Sequence, residues 1–223
     1  MRHHPTHELM TVFASGELPA SLSIAVAAHL ELCHDCQTLA DRITQQAAQQ
    51  EFTTPSSTPS QQDHEDDFAD MIAQITQDDA LLDTLFDTTE TAEQTIEFKG
   101  QHYTLPRALQ SLVLQKPQKL GKLTRSRIDL QEGSLKTSLL HIEPGGSVPM
   151  HTHRGFELTL LLDGEFEDEM GKYQKGDFIW LTGEHEHTPT TTTGCLCFTV
   201  SNDALQFTQG ISKLLNPIGQ FIY

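Results

Sequence analysis

The chain has 223 residues, a hydrophobic fraction of 37% and a formal net charge of −17. Its length allows one large or two small domains, and its low hydrophobic fraction indicates that part of it is linker or tail. The strongly acidic charge argues against direct nucleic-acid binding, which needs a basic surface, and favours a protein partner that is itself basic.

No stretch approaches the roughly 18 apolar residues that a membrane-spanning helix needs. No apolar segment follows Arg2, as it would in a signal peptide. We therefore expect a cytoplasmic protein that does not contact membranes. In that compartment the four cysteines are more typical of metal ligands or redox thiols than of structural disulfides.

Residues 1 to about 48 have the pattern of short helices. Thr6 is expected to cap the first helix, which ends before Gly16 and Pro19. A second helix is predicted from about Ser21 toward Cys36, and it either continues or restarts into residues 38–49.

The second helix carries the pattern HxxxCxxC, formed by His29, Cys33 and Cys36. On a continuous helix these positions fall within about 60° of one another, so one imidazole and two thiols point to one side. They would supply three of the four ligands of a tetrahedral Zn²⁺. A redox pair beside an unrelated histidine is the competing interpretation. The fourth ligand is offered by an N-terminal cluster of histidines: His3, His4 and His7.

Residues 50–62 are rich in Pro, Ser and Thr, which is typical of a flexible linker. Beyond them, apolar residues at steps of three, four and seven predict an amphipathic helix over about 65–88. The stripe consists of Phe68, Ile72, Ile75, Leu82 and Phe86, and the first four are the predicted partner contacts.

Residues 43–98 contain thirteen acidic and no basic residues, so this segment carries −13 of the −17. A single acidic helix has little stability alone, and we expect a partner to cover its apolar stripe. A solvated or disordered acidic run is the plainer alternative.

From about residue 96, short apolar runs alternate with Gly, Pro and Asp, which predicts an all-β barrel or sandwich. Between Gly145 and Gly164 the chain has the pattern Gx₅HxHx₃Ex₆G, which contains His151, His153 and Glu157. Because residues i and i+2 of a strand share a face, we expect these side chains to point inward together.

A third barrel histidine, either His185 or His187, follows on a neighbouring strand. Three imidazoles and a carboxylate suit Zn²⁺ or another divalent transition metal. Cys195 and Cys197 alternate on a later strand and face the same way. They are either a thiol sensor near the site or small core residues.

The barrel pattern is the metal motif of cupins, and the helical pattern resembles the zinc-binding anti-sigma domain. Together with the opening RHH, the phrase ASGEL and the CxC at 195–197, they resemble the ChrR-type zinc-binding anti-sigma factors over nearly the whole chain. This resemblance implies an all-α zinc-binding module over residues 1–90 and an all-β cupin (jelly-roll) barrel over residues 95–205. Residues 206–223 would either form a C-terminal extension or belong to the barrel.

The resemblance also implies two sets of metal ligands. In the helical module they are His4, His29, Cys33 and Cys36, and in the barrel they are His151, His153, Glu157 and His187, with His185 as a substitute for the last. The helix at 65–88 matches the helix that packs against the sigma factor in the family.

The implied function is an anti-sigma factor that sequesters an extracytoplasmic-function sigma factor. It would release that partner on an oxidative signal, singlet oxygen or an organic hydroperoxide, sensed by the barrel, and it would have no catalytic activity. A metal-dependent cupin oxygenase with an accessory zinc module is the alternative, because cupins host many chemistries. Such an enzyme would not need the acidic amphipathic helix.

Overall fold

The computed structural model describes residues 1–53, 72–73, 76, 95–98, 100–203 and 205–208. Its helices with described bounds are α1 (His7–Ala14), α2 (Ala20–Leu32), α3 (His34–Thr53) and α4 (Arg107–Gln110). Its strands are β1 (Thr95–Phe98), β2 (Gln101–Thr104), β3 (Gln118–Leu120), β4 (Leu123–Ile128), β5 (Lys136–Ile142), β6 (His151–His153), β7 (Phe156–Asp168), β8 (Gly171–Gln174), β9 (Phe178–Thr182), β10 (Cys195–Ser201) and β11 (Leu205–Phe207). None of the helices in these ranges is long and apolar enough to cross a membrane.

The N-terminal helices begin and end at residues with clear local causes. The side chain of Thr6 caps α1 by accepting a hydrogen bond from Leu9 N at 3.2 Å, as predicted. Helix α2 begins after Pro19, and Cys33, with φ −130° and ψ 102°, separates it from α3. The predicted second helix therefore restarts rather than continues. Helix α3 extends to Thr53, so residues 50–53, predicted as linker, are helical instead.

The described strands all pair antiparallel. Seven of them form one sheet in the order β3-β4-β5-β10-β7-β8, with β9 also paired to β7. Strands β1 and β2 form a hairpin, and β11 pairs with β6. The order of an all-α module followed by an all-β barrel is as predicted.

The end of the barrel lies beyond the boundary predicted at residue 205. Strand β11 pairs with β6 so that Phe207 lies opposite His151, and Phe207 is buried. Thr208 N also donates to Met150 O at 3.1 Å. Residues 206–208, predicted to start a C-terminal extension, are thus part of the barrel, and residues 209–223 lie outside the described residues.

The core runs without a break from the helices into the barrel. Helix α2 buries Leu22 and Val26 and packs against α1, α3, α4 and β10. One cluster of buried side chains therefore joins Val26 to Leu158 and Phe198 of the barrel. A second cluster fills the other side of the β10 strand, around Leu161.

The predicted partner-binding helix at 65–88 lies mostly outside the described residues. Ile72, Ala73 and Thr76 are helical, and the Ile72 side chain is 56% exposed. Phe68, Ile75, Leu82 and Phe86 lie outside the described residues.

Gly164 should be the most demanding glycine of the barrel, because it has φ +78° where β7 passes close to the Gly194–Cys195 backbone. A Cβ here would overlap Gly194 O and lie 2.9 Å from Cys195 Cα. We expect Gly164→Ala to lower the free energy of unfolding by roughly 2–4 kcal/mol, from backbone strain and overpacking together. Gly133, with φ +64° and open space around its Cα, is the matched control. Gly133→Ala should cost about 1 kcal/mol, and equal losses in urea denaturation would contradict the steric argument.

Candidate metal centres

The first cluster of metal-ligating side chains lies where the N-terminal segment meets α2 and α3. His29 is near the end of α2, Cys33 is in the break between the helices, and Cys36 is in the first turn of α3. His4 approaches them from the segment before α1. The HxxxCxxC spacing predicts one continuous helix for the three motif residues, and that geometry is wrong, because Cys33 has an extended conformation between α2 and α3.

The distances in this cluster fit a tetrahedral ion. His4 Nδ1 lies 3.5 Å from Cys33 Sγ and 3.3 Å from Cys36 Sγ. With Zn–S near 2.3 Å and Zn–N near 2.0 Å, a tetrahedron has an N···S edge of about 3.5 Å. One ligand atom from each of the four residues, His29 included, lies within 4.8 Å of all the others. The four residues could therefore hold one metal ion.

His29 is oriented in the way that metal-binding histidines usually are. Its Nδ1–H donates to the carbonyl oxygen of Gly176 at 2.8 Å, which leaves the lone pair on Nε2. Nε2 is buried and has no hydrogen-bond partner, and burial lowers the pKa of the imidazole to about 4. A neutral, buried and unpaired nitrogen is an unsatisfied group that a metal ion would satisfy.

The thiols of this cluster also favour a cation. Burial, followed by the neighbouring Cys33 thiol, raises the pKa of Cys36 to about 12. Without a cation this thiol stays protonated at neutral pH, whereas a bound metal would stabilise the thiolate. Cys33 and Cys36 are both free of disulfides.

Of the three N-terminal histidines, His4 enters the cluster. The ring of His3 packs on Tyr173, with 4.9 Å between the ring centroids. His7 is exposed at the first position of α1.

The second cluster lies inside the barrel and is more deeply buried. His151 and His153 come from β6, Glu157 from β7, and His187 from the segment that bridges to His151. The backbone N–H groups of His151 and His187 each donate to the carbonyl of the other, at 3.1 and 3.0 Å. All four residues are at most 7% exposed, and one ligand atom of each lies within 4.8 Å of the rest.

Neighbouring acceptors fix the orientation of two of these imidazoles. His151 Nδ1–H donates to Pro149 O at 2.8 Å, and His187 Nδ1–H donates to Asp168 Oδ2 at 3.1 Å. Both contacts leave the lone pair on Nε2, as in a metal-binding histidine. The Nε2 atoms of His153 and His187 are buried without hydrogen bonds, although Nε2 of His153 lies 3.0 Å from Glu157 Oε2.

The charges of the barrel cluster suit a divalent cation. Burial lowers the pKa of His151 to about 4, which favours its neutral form. Burial alone would raise the pKa of Glu157, but His153 and the other imidazoles lower it to about 2. An ionised carboxylate beside imidazole nitrogens is the donor set of a transition-metal site.

His185, the alternative third histidine, lies outside the cluster. Its Nδ1 is 3.3 Å from Thr182 N, and its ring lines a cleft between the N-terminal segment and β9. His187 is the one that meets the other ligands.

The cavity at the barrel cluster is small, at about 30 Å³. Cys197 is in its wall, and Cys195 packs with Cys197 in the cluster around Leu161. Both thiols are at most 2% exposed. The Cys195 thiol, together with burial, raises the pKa of Cys197 well above its ordinary value. Cys197 is therefore a protonated thiol beside the site, which makes it a slow nucleophile.

Two carboxylates that hydrogen-bond to residues of the clusters, or to their neighbours, were not predicted from the sequence. Asp168 orients His187, and Asp177 holds the backbone of Arg2 and His3. Neither aspartate lies in a motif with the ligand that it supports, so local spacing could not have found them.

The buried imidazoles should make the metal-free chain sensitive to acid. His151 has a pKa of about 4 when folded and about 6.5 when unfolded, so unfolding takes up a proton between these values and stability falls as pH falls. The pKa of Glu157 is lowered from 4.5 to about 2 on folding, so Glu157 lowers the free energy of unfolding further only below pH 4.5. Between pH 6.5 and 5 we expect His151 to account for roughly 2 kcal/mol. Urea denaturation in the presence of a chelator measures this, and His151→Gln should reduce the slope while leaving the part that His29, with its pKa also lowered to about 4, contributes. A variant with the wild-type slope would contradict the assignment.

The chain is similar to known proteins both in its barrel and over nearly its whole length. The family model of the ChrR cupin-like domain matches residues 124–204. The anti-sigma-E factor ChrR of Cereibacter sphaeroides is 29% identical over 220 residues, which is 97% of each chain. The crystal structure of Rhodobacter sphaeroides SigE in complex with the anti-sigma ChrR matches with a TM-score of 0.65 and 28% identity, over 90% of this chain and 98% of that chain. The chain is therefore similar to ChrR over 97% of its length, and its barrel residues 124–204 match the model of the ChrR cupin-like domain.

Proposed function

We propose that this chain is a cytoplasmic anti-sigma factor that sequesters an extracytoplasmic-function sigma factor and releases it on an oxidative signal. The observation that carries the proposal is the match to ChrR from its complex with SigE, since it spans the helical module and the barrel together. A match confined to the barrel would have indicated only a cupin fold.

The charge of the chain suits such a partner. The segment at 43–98 carries −13, and acidic side chains there would steer and orient a basic sigma-factor surface. The predicted stripe of Phe68, Ile72, Ile75 and Leu82 would supply apolar burial. Ile72 is 56% exposed in the described part of this segment, so it is available for that contact.

In this proposal His4, His29, Cys33 and Cys36 bind Zn²⁺ in the helical module, which spans residues 1–90. The ion would contribute folding free energy, on the order of 10 kcal/mol in comparable small modules. Loss of one ligand by oxidation would remove that contribution and loosen the surface that holds the sigma factor.

The barrel, with His151, His153, Glu157 and His187 around Zn²⁺ or another divalent transition metal, acts as the sensor of singlet oxygen or an organic hydroperoxide. Its cavity of about 30 Å³ holds an ion and about one water molecule, whereas substrate pockets are roughly 300–1,000 Å³. This favours a sensor over the cupin oxygenase. Cys195 and Cys197 would join the redox chemistry only after the barrel opens, because both thiols are buried.

Sigma-factor binding should depend on the helical metal cluster. We expect the full-length chain to form a complex with one of the extracytoplasmic-function sigma factors of its own host, each purified and tested at micromolar concentration. Replacing Cys33 and Cys36 together by Ser should weaken that complex at least tenfold, because the module loses its metal. Replacing Cys195 and Cys197 by Ser is the control and should leave binding in the absence of oxidant unchanged. If none of these sigma factors binds, the proposal is wrong.

Metal content should separate the two clusters. The purified chain should hold two metal ions, measured by elemental analysis against protein concentration. His151→Ala and His187→Ala should each leave one, since a missing imidazole opens the barrel site. His185→Ala should keep both, because His185 lies outside the cluster. Retention of two ions in His187→Ala would contradict the barrel ligand assignment.

A further inference from the structure

The first residues of the chain are held by the barrel. The backbone N–H groups of Arg2 and His3 both donate to Asp177 Oδ1, at 2.7 and 3.1 Å. Phe178 N donates back to His3 O at 3.0 Å. Residues 2 and 3 are therefore fixed along Gly176–Phe178, the turn that leads into β9 (the barrel turn). His4 follows directly.

The same barrel turn holds a second ligand of the helical cluster. Gly176 O accepts the Nδ1–H of His29 at 2.8 Å. The ring of Phe178 packs edge-on against the His29 ring, with 5.7 Å between the centroids. The carbonyl of Gly176 and the ring of Phe178, from the same turn, thus set the angle of this imidazole.

The remaining two ligands are placed in a different way. Cys33 and Cys36 come from the junction of α2 and α3, which is internal to the helical module. The cluster closes only when the two imidazoles meet the two thiols. Contacts with the barrel turn position both imidazoles.

We propose that the barrel turn is the positioning element of the helical metal site, with Asp177 as the positioning residue for His4. This rests on the proposed role of that cluster in holding a metal. Asp177 is fully buried, and three backbone N–H groups donate to its carboxylate, from Arg2, His3 and Gln174. A buried carboxylate with three charge-assisted hydrogen bonds orders the segments that donate to it.

The barrel turn also connects to the barrel cluster. Gly176 N donates to Leu161 O at 2.7 Å, and Leu161 N donates to Asp177 O at 3.0 Å. Leu161 is on β7, the strand that carries Glu157, and β9 continues from the turn to Ile179, which lines the cavity at the barrel cluster. A rearrangement of the barrel ligands would therefore act on the turn that positions His4 and His29. The barrel would thereby control metal affinity in the helical module through a defined set of hydrogen bonds.

The test uses the full-length chain and Co²⁺ in place of Zn²⁺. All chains carry Cys195→Ser and Cys197→Ser, because Cys197 lies in the wall of the barrel cavity. Thiolate-to-cobalt absorption then reports only the cluster with Cys33 and Cys36. Arg2→Pro removes one N–H donor to Asp177 and leaves every barrel residue intact. Arg2→Ala is the matched control, since it also removes the side chain but keeps the N–H. Arg2→Pro should weaken cobalt affinity about tenfold, in the range seen when an outer partner of a metal ligand is lost, and Arg2→Ala should match the wild type.

Asp177→Asn gives a second measurement. An amide has one oxygen, so it can accept either from Arg2 N or from Gln174 N, whereas the carboxylate accepts from both. We therefore expect the cobalt affinity to fall at least tenfold. Asp129→Asn is its control, because Asp129 is exposed and its carboxylate accepts a hydrogen bond from Gln131 N at 3.0 Å. Where Asp177→Asn fails to fold, Arg2→Pro decides. Affinities within twofold of the wild type in both test variants would overturn the role of the barrel turn. Failure of the wild type to show a thiolate-to-cobalt band would refute the helical metal site itself, and with it this inference.

Discussion

The structure depends on the burial of helix α2 between the helical module and the barrel. This helix has apolar residues on several sides, with Leu22, Ala25, Val26 and Ala28 all at most 6% exposed. A helix without a polar face is stable only when neighbours cover it all round. Helices α1, α3 and α4 and strand β10 all pack against it. The helical module therefore cannot move off the barrel without exposing apolar surface, at a cost of about 1.5–3 kcal/mol for each large side chain.

Polar contacts at both ends of α2 set its position along the barrel. Glu132 from the barrel accepts a hydrogen bond from Ser21 N at 3.0 Å, which satisfies an otherwise unpaired donor in the first turn. At the other end, Glu31 of α2 accepts from the N–H groups of Arg107 and Ala108 at the start of α4. A carboxylate at a helix N-terminus is favoured by the helix dipole. Glu132 therefore caps α2, and Glu31 of α2 caps α4. These contacts bring His29 to the barrel turn.

Much of the barrel site could be predicted from the sequence because its information is local. His151 and His153 share a face of one strand, and Glu157 follows at the start of the next. The helical site was less predictable. The spacing of His29, Cys33 and Cys36 is compatible with a continuous helix, and nothing in it reveals the extended conformation of Cys33. The Pro-, Ser- and Thr-rich composition around Pro55 predicts a linker from residue 50, yet α3 continues to Thr53.

The contacts between the modules could not have been predicted at all. Arg2 and Asp177 are 175 positions apart, and the donors on the N-terminal side are backbone N–H groups, which have no signature in the sequence. The choice among His3, His4 and His7 depends on this same contact, because it determines which histidine faces the thiols. The choice between His185 and His187 depends on which one bridges to His151 across the barrel. In each case a long-range backbone contact decides between residues of the same type.

The two clusters differ in what holds them together, and this difference suits a regulator. In the barrel, all four residues of the cluster come from strands or bridged segments, so backbone hydrogen bonds to neighbouring strands hold their positions. In the helical module, His4 is exposed and comes from the terminal segment, whereas its three partners are buried. Segments with few buried contacts open at lower free energy than strands in a sheet. A signal that changes the barrel need only disturb the barrel turn to loosen the weaker cluster, while the barrel itself stays folded.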